Sequence, residues 1–152
     1  MDDLYLKKKI INDFQKNNIN SDSIILEGNS SRKKFLTSYN KVDIALDPFP
    51  YSGGITSFES MWMGVPVLTK KGSKFVSHTT ASINRNSGMS DWIAKDEDEY
   101  LAKTIQFTSN LRQLDQIRMN LRKKVLSSPS FNASLFAEQF NNALWKMWNS
   151  FI

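Results

Sequence analysis

Residues 42–69 read VDIALDPFPYSGGITSFESMWMGVPVLT, with one short apolar run at each end. The runs at residues 42–46 and 65–69 contain several β-branched residues, which is typical of short buried strands. Between them the sequence predicts a loop with two prolines and two glycines, followed by a helix over residues 57–63. Gly64 comes next, at the position where a left-handed residue commonly ends a helix. This order predicts a strand–helix–strand unit with parallel strands.

The flanking sequence extends this unit into an α/β fold. The remaining predicted elements are helices at residues 2–18, from Ser30 or Ser31 to Tyr39, at 79–86 and in three stretches after 96, and strands at 23–26 and 92–94. We therefore predict a Rossmann-like parallel sheet flanked by helices, with a helical C-terminal extension. The chain is expected to be a single partial domain (1–152), with an α/β core at 1–95 and a helical tail at 96–152. Ligands bind such sheets outside the carboxyl ends of the strands.

The composition excludes several kinds of site. The chain has 152 residues, of which 40% are hydrophobic, and this is enough for a real core. It contains no cysteine, which excludes disulfides, zinc–thiolate centres and cysteine nucleophiles and favours a cytoplasmic location. Its single histidine excludes a histidine-cluster metal site. No apolar run reaches the roughly 18 residues of a membrane span, and the first ten residues do not resemble a signal peptide.

The net charge of +5 permits an anionic partner such as a nucleotide, a nucleic acid or a membrane surface. The basic residues lie in short groups at 7–9, 32–34, 70–71 and 122–124. Solvated helix faces and helix ends account for most of these groups. A basic nucleic-acid-binding domain is therefore a weaker hypothesis, because the charge is scattered and no recognition motif is present.

The loop and helix after the second predicted strand carry the sharpest functional signal. Gly53 and Gly54 let the backbone approach a ligand closely, and the helix N-terminus that follows presents free N–H groups and a positive dipole end to an anion. Thr56 and Ser57 add hydroxyl donors. The Glu59 carboxylate, one turn further on, can accept hydrogen bonds from two vicinal hydroxyls such as those of a ribose. Together these groups predict a nucleotide site.

A structural interpretation of the same residues is also open. Thr56 and Glu59 have the spacing of a capping box, in which the glutamate side chain bonds back to the threonine amide. The two glycines would then belong to an ordinary loop. The segment matches neither the P-loop nor the G-x-G-x-x-G pattern. On local physics alone, this structural interpretation is the stronger of the two.

Beyond these local arguments, the chain resembles a known family. The motif DPFPYSGG-x-T-x-x-ES-x-W-MGVPVLT, followed by G-x-x-F-x-S and WIAKDEDEY, is similar to the C-terminal catalytic lobe of O-linked N-acetylglucosamine transferases and of the plant SPINDLY O-fucosyltransferases. IILEG, LRKKVLSSP and ALWKMW are further matches. The resemblance implies the GT-B fold, in which two Rossmann-like lobes hold a sugar nucleotide between them. Tetratricopeptide repeats usually precede those lobes.

The resemblance also implies what this piece of the fold would do. The chain would be a donor-binding lobe, without the N-terminal lobe and without the segment that supplies a phosphate-contacting lysine. Its expected function is to bind a nucleotide sugar of the UDP-N-acetylglucosamine type for an inverting transferase that glycosylates Ser and Thr hydroxyls of proteins. A GDP-sugar donor and a degenerate, non-catalytic nucleotide- or protein-binding module stay open as alternatives. No catalytic residue is expected here, and the isolated chain is expected to be inactive.

Site residues follow from the resemblance position by position. Gly53, Gly54, Ile55 and Thr56 lie where the family holds the donor diphosphate through backbone amides and threonine hydroxyls. Glu59 matches the acid that binds the ribose. The family uses no metal in this reaction, so neither a metal nor another cofactor is expected.

Three residues upstream match the family's nucleoside contacts. Ser30 occupies a position whose backbone meets the edge of the base. Arg32 falls where some members have a lysine near the nucleotide. Phe35 falls where some members stack a histidine on the base, and a phenylalanine ring can also stack.

Two departures from the family pattern concern the donor site. Family members often have His-Thr-Thr or Thr-Thr-Thr where this chain has Gly54-Ile55-Thr56, so one hydroxyl is lost at Ile55. His78 stands where many members have an arginine. These departures leave donor binding plausible and put its affinity and sugar choice in question.

Other candidate residues have simpler interpretations. Ser77 and His78 could suggest a nucleophile and its base, but adjacent residues rarely face each other, and a polar position at a helix start is favoured. Asp43 and Asp47 could hold a metal, but loop capping is favoured.

The last predicted helix, residues 134–148, carries an unusually apolar face. Its large apolar residues are Phe136, Phe140, Leu144 and Trp148, with Met147 and Phe151 beside them. The resemblance implies that this helix crosses to the missing lobe. We therefore predict an exposed aromatic patch, or self-association that covers it.

Overall fold

The computed structural model describes residues 3–151. By its internal contacts the chain divides into two compact units, residues 1–37 and 38–152. The second unit contains all strands found in the described residues, and it carries the loop and helix that the sequence singles out.

The first unit is helical. Helix α1 runs over Leu4–Lys16, and the Asp3 carboxylate caps it by accepting a hydrogen bond from the Tyr5 amide at 2.8 Å. Helix α2, Arg32–Ser38, begins at the end of this unit. The Ser31 hydroxyl accepts a hydrogen bond from the Lys34 amide at 3.4 Å, so Ser31 is the capping serine.

The strand predicted at residues 23–26 is wrong. Asn20 starts a 3₁₀ turn there, because its side-chain oxygen accepts the Asp22 amide at 3.1 Å. The Ile24 amide then donates to the Ser21 carbonyl at 3.0 Å and does not join a ladder. Local turn chemistry therefore outweighs the β-branched composition. Ile25 is 81% exposed, which is unlike a buried strand residue.

The second unit alternates strands and helices in the predicted order. Its strands and helices are β1 (Ala45–Leu46), α3 (Ile55–Trp62), β2 (Val67–Lys70), α4 (Thr79–Asn86), β3 (Ile93–Ala94), α5 (Glu97–Ser109), α6 (Leu111–Leu126) and α7 (Ala133–Phe151). Short 3₁₀ turns connect several of them. Helix α4 has its predicted bounds, whereas α3 begins two residues earlier than predicted.

The three strands form a parallel sheet in the order β1-β2-β3. Ala45 pairs with Val67, and Thr69 pairs with Ile93. This confirms the predicted α/β fold with a parallel sheet flanked by helices. The carboxyl ends of all three strands therefore lie at one edge of the sheet, where ligands of such folds bind.

Helices from the predicted tail complete the core. Phe107 of α5 stacks on Trp92 with 4.1 Å between ring centroids. The buried hydrophobic cluster consists of Met61, Val67, Leu68, Ile83, Met89, Trp92, Leu114, Leu121 and Val125, the last three from α6. The sheet thus buries its faces with α5 and α6 as well as with α3 and α4. The predicted division at residue 95 stays a prediction.

Two helix ends confirm sequence predictions. Gly64 follows α3 with a φ of 80°, and a Cβ there would lie 3.1 Å from the Arg118 carbonyl oxygen. Only glycine takes this conformation without strain. Asp96 caps α5 by accepting the Glu99 amide at 2.9 Å, and acids fill the first turn of that helix as predicted.

Helix α7 exposes its apolar face, as predicted. Its large apolar side chains are between 48% and 89% exposed: Phe136, Phe140, Leu144, Met147, Trp148 and Phe151. Together they offer on the order of 800 Å², since an aromatic side chain carries about 150–250 Å². Across residues 3–151, no helix combines the length and the apolarity that crossing a membrane requires.

Self-association through α7 stays a prediction. The exposed area is close to the roughly 800 Å² that each partner contributes to a stable interface. We expect sedimentation velocity to give at least twice the mass of one chain at micromolar concentration. Leu144→Glu should shift the protein to the monomer, whereas Asn142→Glu, on the opposite side of α7, should not. A wild-type chain that stays monomeric at all concentrations would contradict the prediction.

Candidate functional site

The candidate site lies at the carboxyl ends of β1 and β2, and Asp47 organises it. Asp47 directly follows β1, and its amide donates to the Leu68 carbonyl at 2.9 Å. One carboxylate oxygen accepts the Gly53 amide at 2.7 Å, and the other accepts the Thr69 hydroxyl at 2.6 Å. Asp47 is only 5% exposed, and its bond to Thr69 is buried, whereas its bond to Gly53 is partly buried. The carboxylate thereby ties the glycine loop to two strands, which confirms loop capping.

A second set of hydrogen bonds fixes the loop against α4. The Thr80 hydroxyl donates to the Gly53 carbonyl at 3.0 Å. It lies 2.9 Å from the Ser57 hydroxyl, which is buried and acts as the donor because the Thr80 proton is already used. The Ser52 hydroxyl donates to the Val76 carbonyl at 2.8 Å. The first turns of α3 and α4 are therefore held side by side.

The N-terminus of α3 presents unpaired hydrogen-bond donors. Gly54 is its N-cap residue and supplies no side-chain cap. Within residues 3–151, the amides of Gly54, Ile55 and Thr56 donate to no protein acceptor, and the Thr56 hydroxyl has no partner either. Ile55 is 76% exposed, so this turn faces outward. Four donors at a positive helix end are suited to an anion.

The capping-box alternative is wrong. It requires Thr56 to be the N-cap residue, but α3 begins at Ile55, and Thr56 lies inside its first turn. The reason is that the bond between Gly53 and Asp47 ends the loop two residues earlier than the helical pattern alone predicts.

The two glycines have different surroundings. A Cβ on Gly53 would lie 2.5 Å from the Ser57 hydroxyl oxygen, so no side chain fits there. A Cβ on Gly54 would meet only the Thr79 methyl group, at 3.8 Å. Gly53 is therefore required for packing, whereas Gly54 leaves open space above the helix end.

Glu59 lies one turn above Ile55, on the same face of α3, because side chains four residues apart on a helix are neighbours. It is half-buried. Burial raises the pKa of Tyr39, and the negative charge of the nearby Glu59 carboxylate raises it further. The Tyr39 hydroxyl donates to the Thr56 carbonyl at 3.2 Å, so the carboxylate lies beside a side chain anchored to the same helix turn.

A cavity of about 640 Å³ opens beside this helix end. Gly54, Ile55 and Phe58 form one wall, and residues of α4 form another. Its volume is in the range of ordinary small-molecule sites, about 300–1,000 Å³. Glu59 is not among its lining residues.

Ser30, Arg32 and Phe35 belong to the first unit. Ser30 is half-buried, Arg32 is the first residue of α2, and the Phe35 amide donates to the Ser31 carbonyl at 2.9 Å. Their predicted contacts with the nucleoside stay predictions.

The alternative catalytic and metal sites find no support in the described residues. The Ser77 hydroxyl donates to the Lys74 carbonyl at 2.7 Å, so it does not pair with His78, which is the N-cap residue of α4. Asp43 pairs with Arg118. Within residues 3–151, no three His, Cys, Asp or Glu side chains come close enough together to hold a metal ion.

The sequence analysis did not identify the residues whose hydroxyl groups hold the glycine loop in place. Thr69, Thr80 and Ser52 carry no motif, and their partners lie 22 to 28 residues away in the chain. Only the fold brings these hydroxyls to the glycine loop.

Known proteins are similar to this chain in both sequence and fold. Residues 6–140 match the model of glycosyl transferase family 41. The chain is 35% identical over 116 residues to a probable UDP-N-acetylglucosamine–peptide N-acetylglucosaminyltransferase, SPINDLY, of Arabidopsis thaliana, covering 76% of this chain and 13% of the relative. The SPINDLY protein of Solanum lycopersicum is 34% identical over the same length, covering 76% and 12%.

A solved structure agrees with the sequence relatives. A mutant O-GlcNAc transferase of Thermobaculum terrenum matches with a TM-score of 0.88 and 30% identity, over 97% of this chain and 28% of that one. The parallel sheet with donors at its carboxyl edge thus belongs to a sugar-transferase type of fold. The chain is a member of glycosyl transferase family 41. It spans about an eighth of the length of the curated relatives it matches.

Replacing Asp47 tests how the site is built. Asp47→Ala leaves the half-buried Gly53 amide and the buried Thr69 hydroxyl without an acceptor, so we expect the free energy of unfolding to fall by about 3 kcal/mol. Urea denaturation measures this. Asp115→Ala, on an exposed turn of α6, should change stability by no more than about 0.5 kcal/mol. Equal losses in the two variants would contradict the role of Asp47.

Proposed function

We propose that this chain is the nucleotide-sugar-binding lobe of a protein O-glycosyltransferase. The observation that carries the proposal is the row of unpaired donors on Gly54, Ile55 and Thr56 at the start of α3. In a member of family 41, an anion-binding helix end at the carboxyl edge of the sheet is best explained by the diphosphate of a sugar nucleotide.

The proposed chemistry uses these donors to stabilise a leaving group. In the whole enzyme, a Ser or Thr hydroxyl of the acceptor attacks the anomeric carbon of the sugar, and the bond to the nucleoside diphosphate breaks with inversion. Negative charge then grows on the distal phosphate. Fixed amides and the Thr56 hydroxyl stabilise that charge without reorganising. The reaction needs no metal in this proposal, and any general base comes from the lobe that this chain lacks.

Glu59 is proposed to bind the ribose. Glu59 lies one helix turn from the proposed phosphate-binding amides, and in a nucleotide the ribose is attached directly to the diphosphate, so the two groups could be bound side by side. A carboxylate can accept one hydrogen bond from each of two vicinal hydroxyls. Ser30, Arg32 and Phe35 are proposed to contact the base, and the buried Ser57 hydroxyl to hold α3 in place through Thr80.

The donor class follows the relatives. Both SPINDLY relatives are named as probable UDP-N-acetylglucosamine–peptide N-acetylglucosaminyltransferases, and on that basis we propose a UDP sugar and a protein acceptor, with a GDP sugar as the alternative donor. The proposed partners are that donor, the acceptor, an N-terminal catalytic lobe and tetratricopeptide repeats elsewhere in the protein. We also propose a cytoplasmic location, which the absence of cysteine favours.

A non-catalytic binding module is the second candidate. Ile55 favours it, because the family resemblance implies a hydroxyl at this position and isoleucine has none. The Ile55 amide is still present and unpaired, however, so the loss removes one contact and leaves the helix end intact.

Nucleotide binding is the first test. We expect UDP and UDP-N-acetylglucosamine to raise the melting temperature, because a ligand at ten times its Kd adds about 1.4 kcal/mol. GDP and GDP-fucose should act more weakly, and EDTA should change nothing. Glu59→Ala should abolish the shift, whereas Glu138→Ala on α7 should retain it. If no nucleotide shifts melting at millimolar concentration, the proposal fails. We also expect the isolated chain to transfer no sugar.

Ile55→Thr separates the two candidates. The exposed position accepts either side chain, and the added hydroxyl gives the diphosphate one more donor. We expect the Kd for UDP to fall about fivefold, measured by calorimetry. Ile55→Val has the same branched shape without a hydroxyl and should leave the Kd unchanged. Equal affinities for the Thr and Val variants would favour the degenerate module.

A further inference from the structure

The cavity beside α3 is bounded by the beginnings of two helices. Gly54 and Ile55 at the start of α3 line it, and so do His78 and Thr79 at the start of α4. Each helix has eight residues. The N-terminal ends of both helices therefore line one cavity, whose other end reaches the last turn of α4 at Arg85 and Asn86. At the end next to α3, a negatively charged group is stabilised by the positive ends of both helix dipoles.

Two further donors lie at this end of the cavity. Lys71 and His78 both line it, and the segment between them is closed by a hydrogen bond from the Gly72 amide to the Ser77 carbonyl at 3.3 Å. Within residues 3–151, neither side chain forms a hydrogen bond or an ion pair. Arg85, also unpaired, lines the far end, at the last turn of α4.

The charge in this cavity is one-sided. No carboxylate occurs among the described residues that line it. Some basic side chains outside the cavity form ion pairs, as Lys70 does with Glu97 and Lys103 with Glu99. Unpaired basic groups that share a concave, partly apolar space with two helix N-termini point to an anionic ligand.

Gly54 connects this cavity to the proposed phosphate site. It lines the cavity and also carries the first unpaired amide of α3. A side chain there would stand in open space next to the Thr79 methyl group. Because glycine leaves that space free, an anion on the α3 amides is also accessible from the Lys71 side.

We propose that Lys71 and His78 bind the diphosphate of the nucleotide donor from the α4 side of this cavity. Lys71 supplies a positive charge, and the His78 imidazole supplies an N–H donor. Arg85, about 9 Å further along α4 at 1.5 Å per residue, contributes only a longer-range attraction. The inference rests on the proposed function, and it names the side chains that neutralise the donor in this chain.

The test compares side chains of equal length inside and outside the cavity. Lys71→Met removes the charge and keeps the apolar stem, and we expect the Kd for UDP to rise about tenfold. His78→Phe should raise it about threefold. Lys123→Met, an exposed change on α6 outside the cavity, should leave the Kd unchanged. Uridine, which has no phosphate, should bind all four proteins equally. Calorimetry measures each Kd.

Inorganic pyrophosphate is the second probe, and it separates this inference from the proposed function. If UDP binds the wild type and Lys71→Met equally well, the inference is overturned while the proposed function stands. If UDP does not bind but pyrophosphate binds the wild type and Lys123→Met, and not Lys71→Met, Lys71 binds a diphosphate anion as inferred, whereas the nucleotide donor and with it the proposed function are overturned. If neither ligand binds the wild type, both are overturned.

Discussion

The site depends on one buried carboxylate. Asp47 stands at the end of β1, and its two oxygens accept the Gly53 amide and the Thr69 hydroxyl. A carboxylate withdrawn from water needs such donors, and charge-assisted bonds of 2.6 and 2.7 Å are of the strong kind. Because the Gly53 amide points inward and donates to Asp47, the amides of residues 54–56 point towards solvent and are available to a ligand. The Tyr100 hydroxyl donates to the Asp47 backbone carbonyl. Burial raises the pKa of Tyr100, and the negative charge of Asp47 raises it further.

Thr80 connects the glycine loop to the neighbouring helix α4. Its hydroxyl holds the Gly53 carbonyl and accepts from Ser57, so it links the start of α4 to the start of α3. These hydroxyls are buried, and each bond is worth more there than at the surface. The hydrogen bonds thus fix the relative positions of the two helix N-termini without a bound ligand. Binding an anion then requires little ordering of the protein, which lowers the entropic cost of association.

The fold could be predicted from the sequence wherever the pattern was local. The apolar runs around Ala45 and Val67 indicated two parallel strands. Gly64 indicated the end of α3, because a glycine directly after a predicted helix is typical of a left-handed residue that ends it. Residues 23–26 misled the same reasoning, since their apolar composition gave no hint of the turn that Asn20 starts. In the site, the position of Glu59 on α3 could be predicted, but the Asp47–Thr69 bond could not. It joins residues 22 apart that only the finished sheet brings together.

The departures from the pattern that the family resemblance implies affect side chains more than backbone. Losing a hydroxyl at Ile55 does not change the direction of its amide, which the bonds of Asp47 and Thr80 determine. The proposed anion recognition at the start of α3 would therefore depend on the loop geometry, and side chains would adjust its strength. In the role inferred for it, Lys71 at the adjoining cavity wall would act through charge, whose range exceeds that of a hydrogen bond. Such a group can offset a missing hydroxyl without occupying the same position. In the proposed site, the packing that fixes Gly53 would therefore constrain binding more tightly than the identity of residue 55 does.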